Sequence, residues 1–127
     1  MFKISSTFMG LIAAAAMASS SLVMAAEPGM TGDNGYLTDH SGKTLYTFDK
    51  DSVGKSACND TCAINWPPLV AEANTKASGK WTQIKRDDKT LQWAYDGKPL
   101  YFYKDDKKVG DVTGDGKGGV WHIVKPK

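Results

Sequence analysis

Two stretches of the chain carry the same alternation of apolar and polar residues around a glycine turn. The β-branched and aromatic residues of YLTDHSGKTLYTF (36–48) flank a Ser-Gly pair at 41–42, and those of TLQWAYDGKPLYFY (90–103) flank an Asp-Gly pair at 96–97. Short alternating runs on either side of such a pair are typical of β-hairpins, and Asp-Gly suits the positive φ of a type I′ turn. We therefore predict one hairpin in each stretch.

Strand parity assigns the aromatic side chains of these hairpins to faces. Tyr46 and Phe48 fall on one side of their strand, and Tyr101 and Tyr103 fall on one side of the equivalent strand. The last apolar run, GVWHIVK (119–125), has apolar residues on both faces. Strands buried on two sides have this composition, so we predict that this run is a central strand.

The segments beside the hairpins complete the predicted elements. Residues 81–95 have apolar and aromatic positions on both arms of an Asp-Asp pair at 87–88, which favours strand, turn and strand, whereas 71–80 lack an apolar pattern and are typical of a surface loop. Only 55–66 look helical, for one or two turns. The Pro-Pro pair at 67–68 must end that helix, because a residue before proline avoids the α region.

The hairpins belong to a longer internal duplication. GKTLYTFDKD (42–51) returns as GKPLYFYKDD (97–106), and the same offset of 55 residues brings Trp66 onto Trp121. A hairpin with one aromatic face cannot bury that face alone, so we expect the second copy to supply the other half of the core. The predicted fold class is a small, single, all-β domain of two pseudo-repeated hairpin units with one short helical turn that bears a disulfide.

The first 26 residues have the composition of a secretory signal peptide, with Lys3 before an apolar middle and small residues at the end. Cleavage after Ala25 and cleavage after Ala26 both remain open. The apolar run is shorter than the roughly 20 residues that a membrane-spanning helix needs. We expect an exported protein, periplasmic or extracellular, with no transmembrane segment in the mature chain and no lipid anchor, because no cysteine lies near the cleavage point.

The predicted domain organisation follows from these elements. A flexible, polar tail at 27–34 precedes a single β domain at 35–127. Its first repeat covers about 35–70, a connecting loop about 71–80 and its second repeat about 81–127. The 16 Lys and Arg residues and 14 Asp and Glu residues are interleaved along the chain, so we expect no nucleic-acid partner.

Cys58 and Cys62 are the two cysteines of the chain. In an oxidising compartment two thiols at this spacing are most simply one disulfide that pins a local turn. A redox couple is an alternative, although redox enzymes prefer two intervening residues. Haem attachment requires a histidine after the second cysteine, where this chain has Ala63.

Asp51 and Asp106 are the equivalent acidic residues of the two copies. Each falls where its strand ends, so we expect each carboxylate to accept backbone N–H groups of its own turn. If the two carboxylates converged on a shared cleft, they would form an acid–base pair, and this alternative stays open. We predict no catalytic residue.

Metal binding is a weaker hypothesis. Residues 111–122 imitate part of a calcium loop, but His122 takes the place of the bidentate acidic ligand. His40 aligns with Tyr95 at the repeat offset, so we expect it to be half-buried, and two histidines without a third ligand make a poor site. We predict no metal and no cofactor.

The repeated residues give the chain a resemblance to the secreted-repeat family of predicted lipoproteins, which is marked by a Tyr-x-[Phe/Trp/Tyr]-x-x-Asp motif. CNDTCAINWPPL after the first motif and GDVTGDGKGGVWHIVKP after the second are further hallmarks. The resemblance spans nearly the whole mature chain and implies an exported repeat protein without an established activity. The matching positions are Tyr46, Phe48, Asp51, Trp66, Tyr101, Tyr103, Asp106 and Trp121.

Exposed aromatic residues are the remaining candidates for a binding role, because their rings stack on sugars and other flat ligands. Trp81, Trp93 and Tyr95 are our candidates. We predict a non-enzymatic binding or envelope-associated module for an unknown small ligand or envelope component, of open oligomeric state. A thiol–disulfide redox protein is the alternative, and a metal-binding protein is the weaker one.

Overall fold

The computed structural model describes residues 27–73 and 75–126, so the predicted signal peptide lies outside the described residues. Within them the chain forms short antiparallel strands and one short α-helix, as expected for a small all-β domain. No helix of the described residues has the length and apolar character to cross a membrane. The elements are β1 (Gly29–Thr31), β2 (Leu37–Asp39), β3 (Tyr46–Phe48), α1 (Thr61–Asn65), β4 (Val70–Ala71), β5 (Trp81–Lys85), β6 (Leu91–Tyr95), β7 (Lys98–Pro99) and β8 (Trp121–Ile123).

The strands form three small sheets. Strand β1 pairs with β2, β3 pairs with β8, and the central strand β6 pairs with β5 along one edge and with β4 and β7 along the other. The predicted hairpin at 81–95 corresponds to β5 and β6. The predicted Asp-Gly turn joins β6 to β7, and both of its residues have positive φ, 54° at Asp96 and 83° at Gly97, as a type I′ turn requires.

The turn of the first hairpin is one residue longer than that of the second. The N–H of Leu45 donates to the carbonyl of Leu37, whereas the N–H of Leu100 donates to the carbonyl of Trp93. Leu37 and Leu45 are thus one position further apart in the sequence than Trp93 and Leu100. His40 falls in the longer turn and is exposed, so the prediction that it is half-buried is wrong.

The two copies meet at one pair of equivalent residues. The backbone N–H of Tyr46 donates to the carbonyl of Tyr101 at 2.8 Å, and the N–H of Tyr101 donates to the carbonyl of Tyr46 at 3.0 Å. Because the two equivalent residues exchange reciprocal backbone hydrogen bonds, an approximate two-fold axis passes between them.

Each copy donates its last strand to the hairpin of the other copy. Strand β8, from the second copy, pairs with β3 of the first, and β4, from the first copy, pairs with β6 of the second. The flanking hydrogen bonds are equivalent: Leu37 donates its N–H to the carbonyl of Val124, and Trp93 donates to that of Leu69, both at 2.8 Å. Neither repeat is therefore a complete sheet without the other.

The two faces of the hairpin strands are buried in two separate hydrophobic clusters. Each cluster contains residues of both copies. Leu45 and Leu100 have no exposed surface on one face, and Tyr46 and Tyr101 have none on the other. Strand parity predicted this division. The leucine cluster contains Leu37, Leu45, Leu69, Ala71, Trp81, Trp93 and Leu100. The tyrosine cluster contains Tyr46, Cys58, Trp66, Tyr101, Tyr103 and Trp121.

The prediction of a loose tail at 27–34 is wrong, because β1 lies within it and pairs with β2. Gly29 makes this pairing possible beside the leucine cluster. A Cβ atom at this position would lie 2.6 Å from the carbonyl oxygen of Thr38 and 2.8 Å from the ring of Trp81. Gly29 therefore serves as a site of close approach between β1 and the leucine cluster.

The prediction that 119–125 form a central strand is also wrong. Strand β8 pairs with a single strand, β3. On its other side a loop takes the place of a strand, because the N–H of Gly116 donates to the carbonyl of Trp121 and the N–H of Ile123 donates to the carboxylate of Asp115. Of the residues in β8, only Trp121 is buried.

Candidate functional site

The repeated tyrosine and aspartate of each copy bond to those of the other copy. The hydroxyl of Tyr46 donates to Oδ2 of Asp106 at 2.6 Å, and the hydroxyl of Tyr101 donates to Oδ2 of Asp51 at 2.6 Å. The spacing of these residues within a copy is evident from the sequence, but their hydrogen-bond partners are not. The motif therefore fastens the two copies together.

The remaining carboxylate oxygens close the turns in which the aspartates lie. Oδ1 of Asp51 accepts the N–H of Ala57 at 2.6 Å, and Oδ1 of Asp106 accepts the N–H of Thr113 at 2.9 Å together with its hydroxyl. Each carboxylate thus points into its own turn and toward a tyrosine of the other copy. The two do not meet in a shared cleft, so the arrangement gives no support to an acid–base pair.

The protonation states fit this structural role. Burial, reinforced by the hydrogen bond to Asp106, raises the pKa of Tyr46 far above its usual value, and burial followed by the bond to Asp51 does the same for the pKa of Tyr101. Both hydroxyls therefore stay protonated as donors. Burial also raises the pKa of Asp51, against the opposing effect of the hydrogen bonds from Tyr101 and Ala57.

An aromatic stack alternates between the copies within the tyrosine cluster. The rings of Trp66 and Trp121 lie parallel with centroids 3.7 Å apart. Phe48 stacks on the outer side of Trp121 and Tyr103 on the outer side of Trp66, each with a centroid distance of 4.2 Å. The order along the stack is first copy, second copy, first copy, second copy, so these motif aromatics belong to the core.

A buried arginine joins the disulfide loop to the second hairpin, and sequence reasoning missed it. Arg86 is 5% exposed and donates to the hydroxyl of Ser56 at 3.1 Å, to the side-chain oxygen of Gln92 at 2.8 Å and to the carbonyl of Cys58 at 2.6 Å. Ser56 in turn shares a hydrogen bond with the hydroxyl of Tyr101. The only feature of the sequence that pointed to a buried polar network was a glutamine between two apolar residues of β6.

The predicted disulfide joins Cys58 to Cys62 and spans the start of α1. Cys58 has no exposed surface and packs in the tyrosine cluster, whereas Cys62 is half-buried. Thiol–disulfide exchange requires a thiolate to reach a sulfur atom. The aromatic packing around Cys58 leaves Cys62 as the accessible side of the bond.

The two histidines lie in different parts of the molecule. Nε2 of His40 contacts the carbonyl oxygen of Glu27 at 2.5 Å, and Nε2 of His122 lies 2.8 Å from Oδ2 of Asp49. Among residues 27–73 and 75–126, no three His, Cys, Asp or Glu side chains gather into a possible metal site.

Two acidic residues of the calcium-like loop accept backbone N–H groups that flank the loop. Oδ2 of Asp111 accepts the N–H groups of Lys107 and Lys108, which lowers the pKa of Asp111, and Oδ1 of Asp115 accepts the N–H of Ile123.

Of the three aromatic residues predicted to bind, one borders a cavity. Trp81 and Trp93 are 2% and 7% exposed and pack in the leucine cluster, so their prediction as binding residues is wrong. Large apolar rings beside Leu37 and Leu100 stabilise the fold by being buried, and they are not accessible to a ligand. Tyr95 is half-buried and forms part of a cavity wall.

The cavity at Tyr95 has a volume of about 520 Å³ and is lined by both copies. We call it the Tyr95 groove. The ring of Tyr95 is held by an edge contact with Trp81, at a centroid distance of 5.1 Å, and the ammonium group of Lys80 lies 5.9 Å from its centroid. The further charged groups in its wall are Asp49, Asp96, Lys98 and Lys125, and the ring of His122 lines it as well.

Both halves of the chain match a protein family described as a secreted repeat of unknown function, over residues 27–70 and 82–125. The chain belongs to this secreted-repeat family. No curated protein and no solved structure matches it. Each family unit holds one motif tyrosine and one motif aspartate, which bond to the other unit. The description of the family supports export of the chain, and it assigns no activity.

Proposed function

We propose that this secreted-repeat protein is a non-enzymatic binding module that holds an acidic component of the cell envelope in the Tyr95 groove. The observation that carries the proposal is the combination of a fixed aromatic ring with three lysines in one open cavity. The motif residues build the scaffold that presents this cavity.

The charge of the groove favours an anionic ligand. Three lysines, Lys80, Lys98 and Lys125, line it, and none of them lies within 4.0 Å of a carboxylate oxygen of the described residues. Of the two aspartates in the wall, Asp49 is engaged by His122. A carboxylate or phosphate in the groove would therefore meet more positive than negative charge.

The aromatic wall favours a ligand with a flat or apolar ring face. An edge contact with Trp81 fixes the ring of Tyr95, so stacking on it costs little conformational entropy. An acidic group on a ring that lies against Tyr95 would reach the ammonium group of Lys80, which lies over the same ring. Acidic sugars combine these features and are present outside the cytoplasm, where we place the protein, in the periplasm or beyond the cell.

The redox alternative has less support from the geometry. A redox function requires a free thiolate from Cys58 or Cys62. These two residues form a disulfide, and the sulfur of Cys58 is packed among the rings of the tyrosine cluster. Metal binding has less support again, because His40 and His122 each contact a different part of the chain.

Chemical-shift mapping tests the proposal directly. Glucuronate is titrated into the isotope-labelled mature protein, with glucose as the neutral control. We expect shifts confined to the groove, centred on Tyr95, Lys98 and Lys125, and we expect them to shrink as salt is added because the attraction is screened. Glucuronate that shifts no groove resonance, or glucose that shifts the same resonances equally, would contradict the proposal.

A charge reversal supplies the matched variants. Lys98→Glu removes one cation from the groove, and Lys85→Glu makes the same change on an exposed lysine of β5 outside it. We expect the first to weaken glucuronate binding by about tenfold, which corresponds to about 1.4 kcal/mol, and the second to leave it unchanged.

A further inference from the structure

A second cavity adjoins the Tyr95 groove. It has a volume of about 220 Å³ and shares Thr47, Asp49 and Lys98 with the groove. Because three residues form part of both walls, the two cavities are adjacent, with Lys98 at their junction. We call the second cavity the Val53 cavity.

The Val53 cavity differs from the groove in chemistry. Apart from the shared Lys98, its wall contains no lysine, arginine or histidine. Its two acidic residues are already engaged: Asp51 by Tyr101 and Ala57, and the shared Asp49 by His122. Its accessible surface is instead formed by Val53, which is 84% exposed, by the exposed Ser52 and by the half-buried Phe48. This end suits a neutral unit with an apolar face and hydroxyl groups.

The wall of the Val53 cavity is built by both copies. A tight turn closed by hydrogen bonds between Ser52 and Lys55 carries Val53 toward the turn between β6 and β7. A Cβ atom at Gly97 would lie 3.3 Å from the Val53 side chain, and the N–H of Gly54 donates to the carbonyl of Gly97. The two turns therefore support each other and hold the exposed valine in place.

We propose that the ligand is a linear glycan in which carboxylate-bearing units are linked to neutral units. One acidic unit lies against Tyr95 among the lysines, the chain passes Lys98, and a neutral unit lies against Val53. This inference rests on the proposed function and adds the polymeric nature and the polarity of the ligand. Charge complementarity at one end and its absence at the other are the observations that support it.

The test uses the mature protein and hyaluronan oligosaccharides, in which glucuronate alternates with N-acetylglucosamine. Calorimetry gives Kd for the disaccharide, tetrasaccharide and hexasaccharide. We expect the tetrasaccharide to bind about tenfold more tightly than the disaccharide, because only the longer chain reaches both cavities. Neutral chito-oligosaccharides of the same lengths are the control and are expected to bind at least about tenfold more weakly.

Val53→Asp tests the second cavity, with Val109→Asp as its matched control. Both valines are exposed, at 84% and 71%, so neither change removes buried contacts, and Val109 lies outside both cavities. We expect Val53→Asp to abolish the gain from the longer chain, so that the tetrasaccharide binds no more tightly than the disaccharide. Val109→Asp should leave both affinities unchanged.

The outcomes separate the two proposals. Equal affinity for every chain length, or equal loss with both valine variants, overturns the polymeric ligand and leaves the acidic-ligand groove in place. Equal binding of the chito-oligosaccharides overturns the requirement for carboxylate. Glucuronate that shifts no resonance of the groove overturns the proposed function itself, and the glycan inference with it.

Two natural sources carry this chemistry. Strands of alternating N-acetylglucosamine and N-acetylmuramic acid without peptides represent the cell wall, and hyaluronan represents an acidic exopolysaccharide. Preference for the first supports the glycan inference with wall glycan as the ligand, and preference for the second supports it with an exopolysaccharide.

Discussion

At the scale of single residues, the repeated tyrosine and aspartate of this chain join its two copies. Tyr46 and Tyr101 are buried, and each donates to an aspartate of the opposite copy. A hydrogen bond to a charged acceptor contributes more than a neutral one, about 1.5–3 kcal/mol. Two such bonds, related by the approximate two-fold axis, account for the recurrence of tyrosine and aspartate at the same spacing.

Removing one tyrosine hydroxyl should weaken the fold. We expect Tyr46→Phe and Tyr101→Phe each to lower the free energy of unfolding by about 1.5–3 kcal/mol, since each leaves a carboxylate oxygen without its donor. Urea denaturation measures the effect. Tyr36→Phe is the control, because Tyr36 is half-buried and the structure gives its hydroxyl no hydrogen bond within the described residues. Equal stability of all three variants would refute the role of the motif.

The two acidic residues with opposite pKa shifts should respond oppositely to pH. Burial raises the pKa of Asp51 in the folded state, so its folded form binds the proton more tightly than its unfolded form. Its favourable contribution is fully present below the unfolded pKa and is lost as pH rises through the folded pKa. Backbone hydrogen bonds lower the pKa of Asp111, so its contribution is present above the unfolded pKa and is lost as pH falls.

Asparagine variants isolate each of these contributions. Urea unfolding of the wild type, Asp51→Asn and Asp111→Asn is measured from about pH 3 to pH 7, across the usual range of carboxyl pKa values. Relative to its variant, the wild type should lose stability with rising pH in the Asp51 comparison and gain it in the Asp111 comparison. The same sign of change in both comparisons would show that the assignment is wrong.

At this scale the sequence could predict which residues the two copies have in common. It could not predict the hydrogen-bond partners of those residues. The repeat offset identified Tyr46 and Asp106, but a hydrogen bond that crosses between copies depends on the fold of both. Arg86 and Gln92 were missed for a related reason: they are buried only because the disulfide loop supplies acceptors for the arginine. A polar residue in a strand does not by itself indicate such a partner.

At the scale of elements, the hairpins follow from local chemistry, and their pairing does not. The Asp-Gly turn and strand parity predicted β6, β7 and the two buried faces, because both depend on neighbouring residues. The exchange of β4 and β8 between copies depends on long-range pairing. Strands β1 and β8 show the same limit. A segment predicted to be a loose tail forms β1, and a segment predicted to be a central strand is bordered by a loop on one side.

The disulfide is the element on which the redox alternative depends. Structural disulfides have reduction potentials below about −300 mV, and strained or exposed ones have higher potentials. Because Cys58 is fully buried among aromatic rings, we expect a value below about −300 mV. Equilibration with dithiothreitol buffers, followed by mass spectrometry, measures it. A potential near −200 mV, in the range of catalytic disulfides, would favour the redox function instead.

At the scale of the whole molecule, the duplication explains how short strands produce a core. Each repeat alone has a hairpin without its last strand and half of an aromatic stack. Isolated hairpins are marginally stable at best in water. The sequence predicted that the copies complete each other, because an aromatic face needs a cover, and the structure shows that strands, side chains and hydrogen bonds all cross between them.

The same arrangement places the candidate binding surface. The Tyr95 groove takes Tyr95 and Lys98 from the second copy and Thr47 and Asp49 from the first. It therefore exists only when the copies are assembled. Sequence reasoning selected Tyr95 together with two tryptophans that proved to be core residues, since exposure depends on the assembled fold and not on residue type.

The most direct test of this account is to separate the copies. A protease site placed after Lys76, in the exposed connector, allows the folded protein to be cut into 27–76 and 77–127, and the fragments are then separated in denaturant. After removal of denaturant, circular dichroism and one-dimensional NMR are recorded for each fragment and for their equimolar mixture. We predict that each fragment is unfolded alone and that the mixture recovers the spectrum of the intact protein. A fragment that folds by itself, with a cooperative unfolding transition, would contradict the claim that each repeat completes the other.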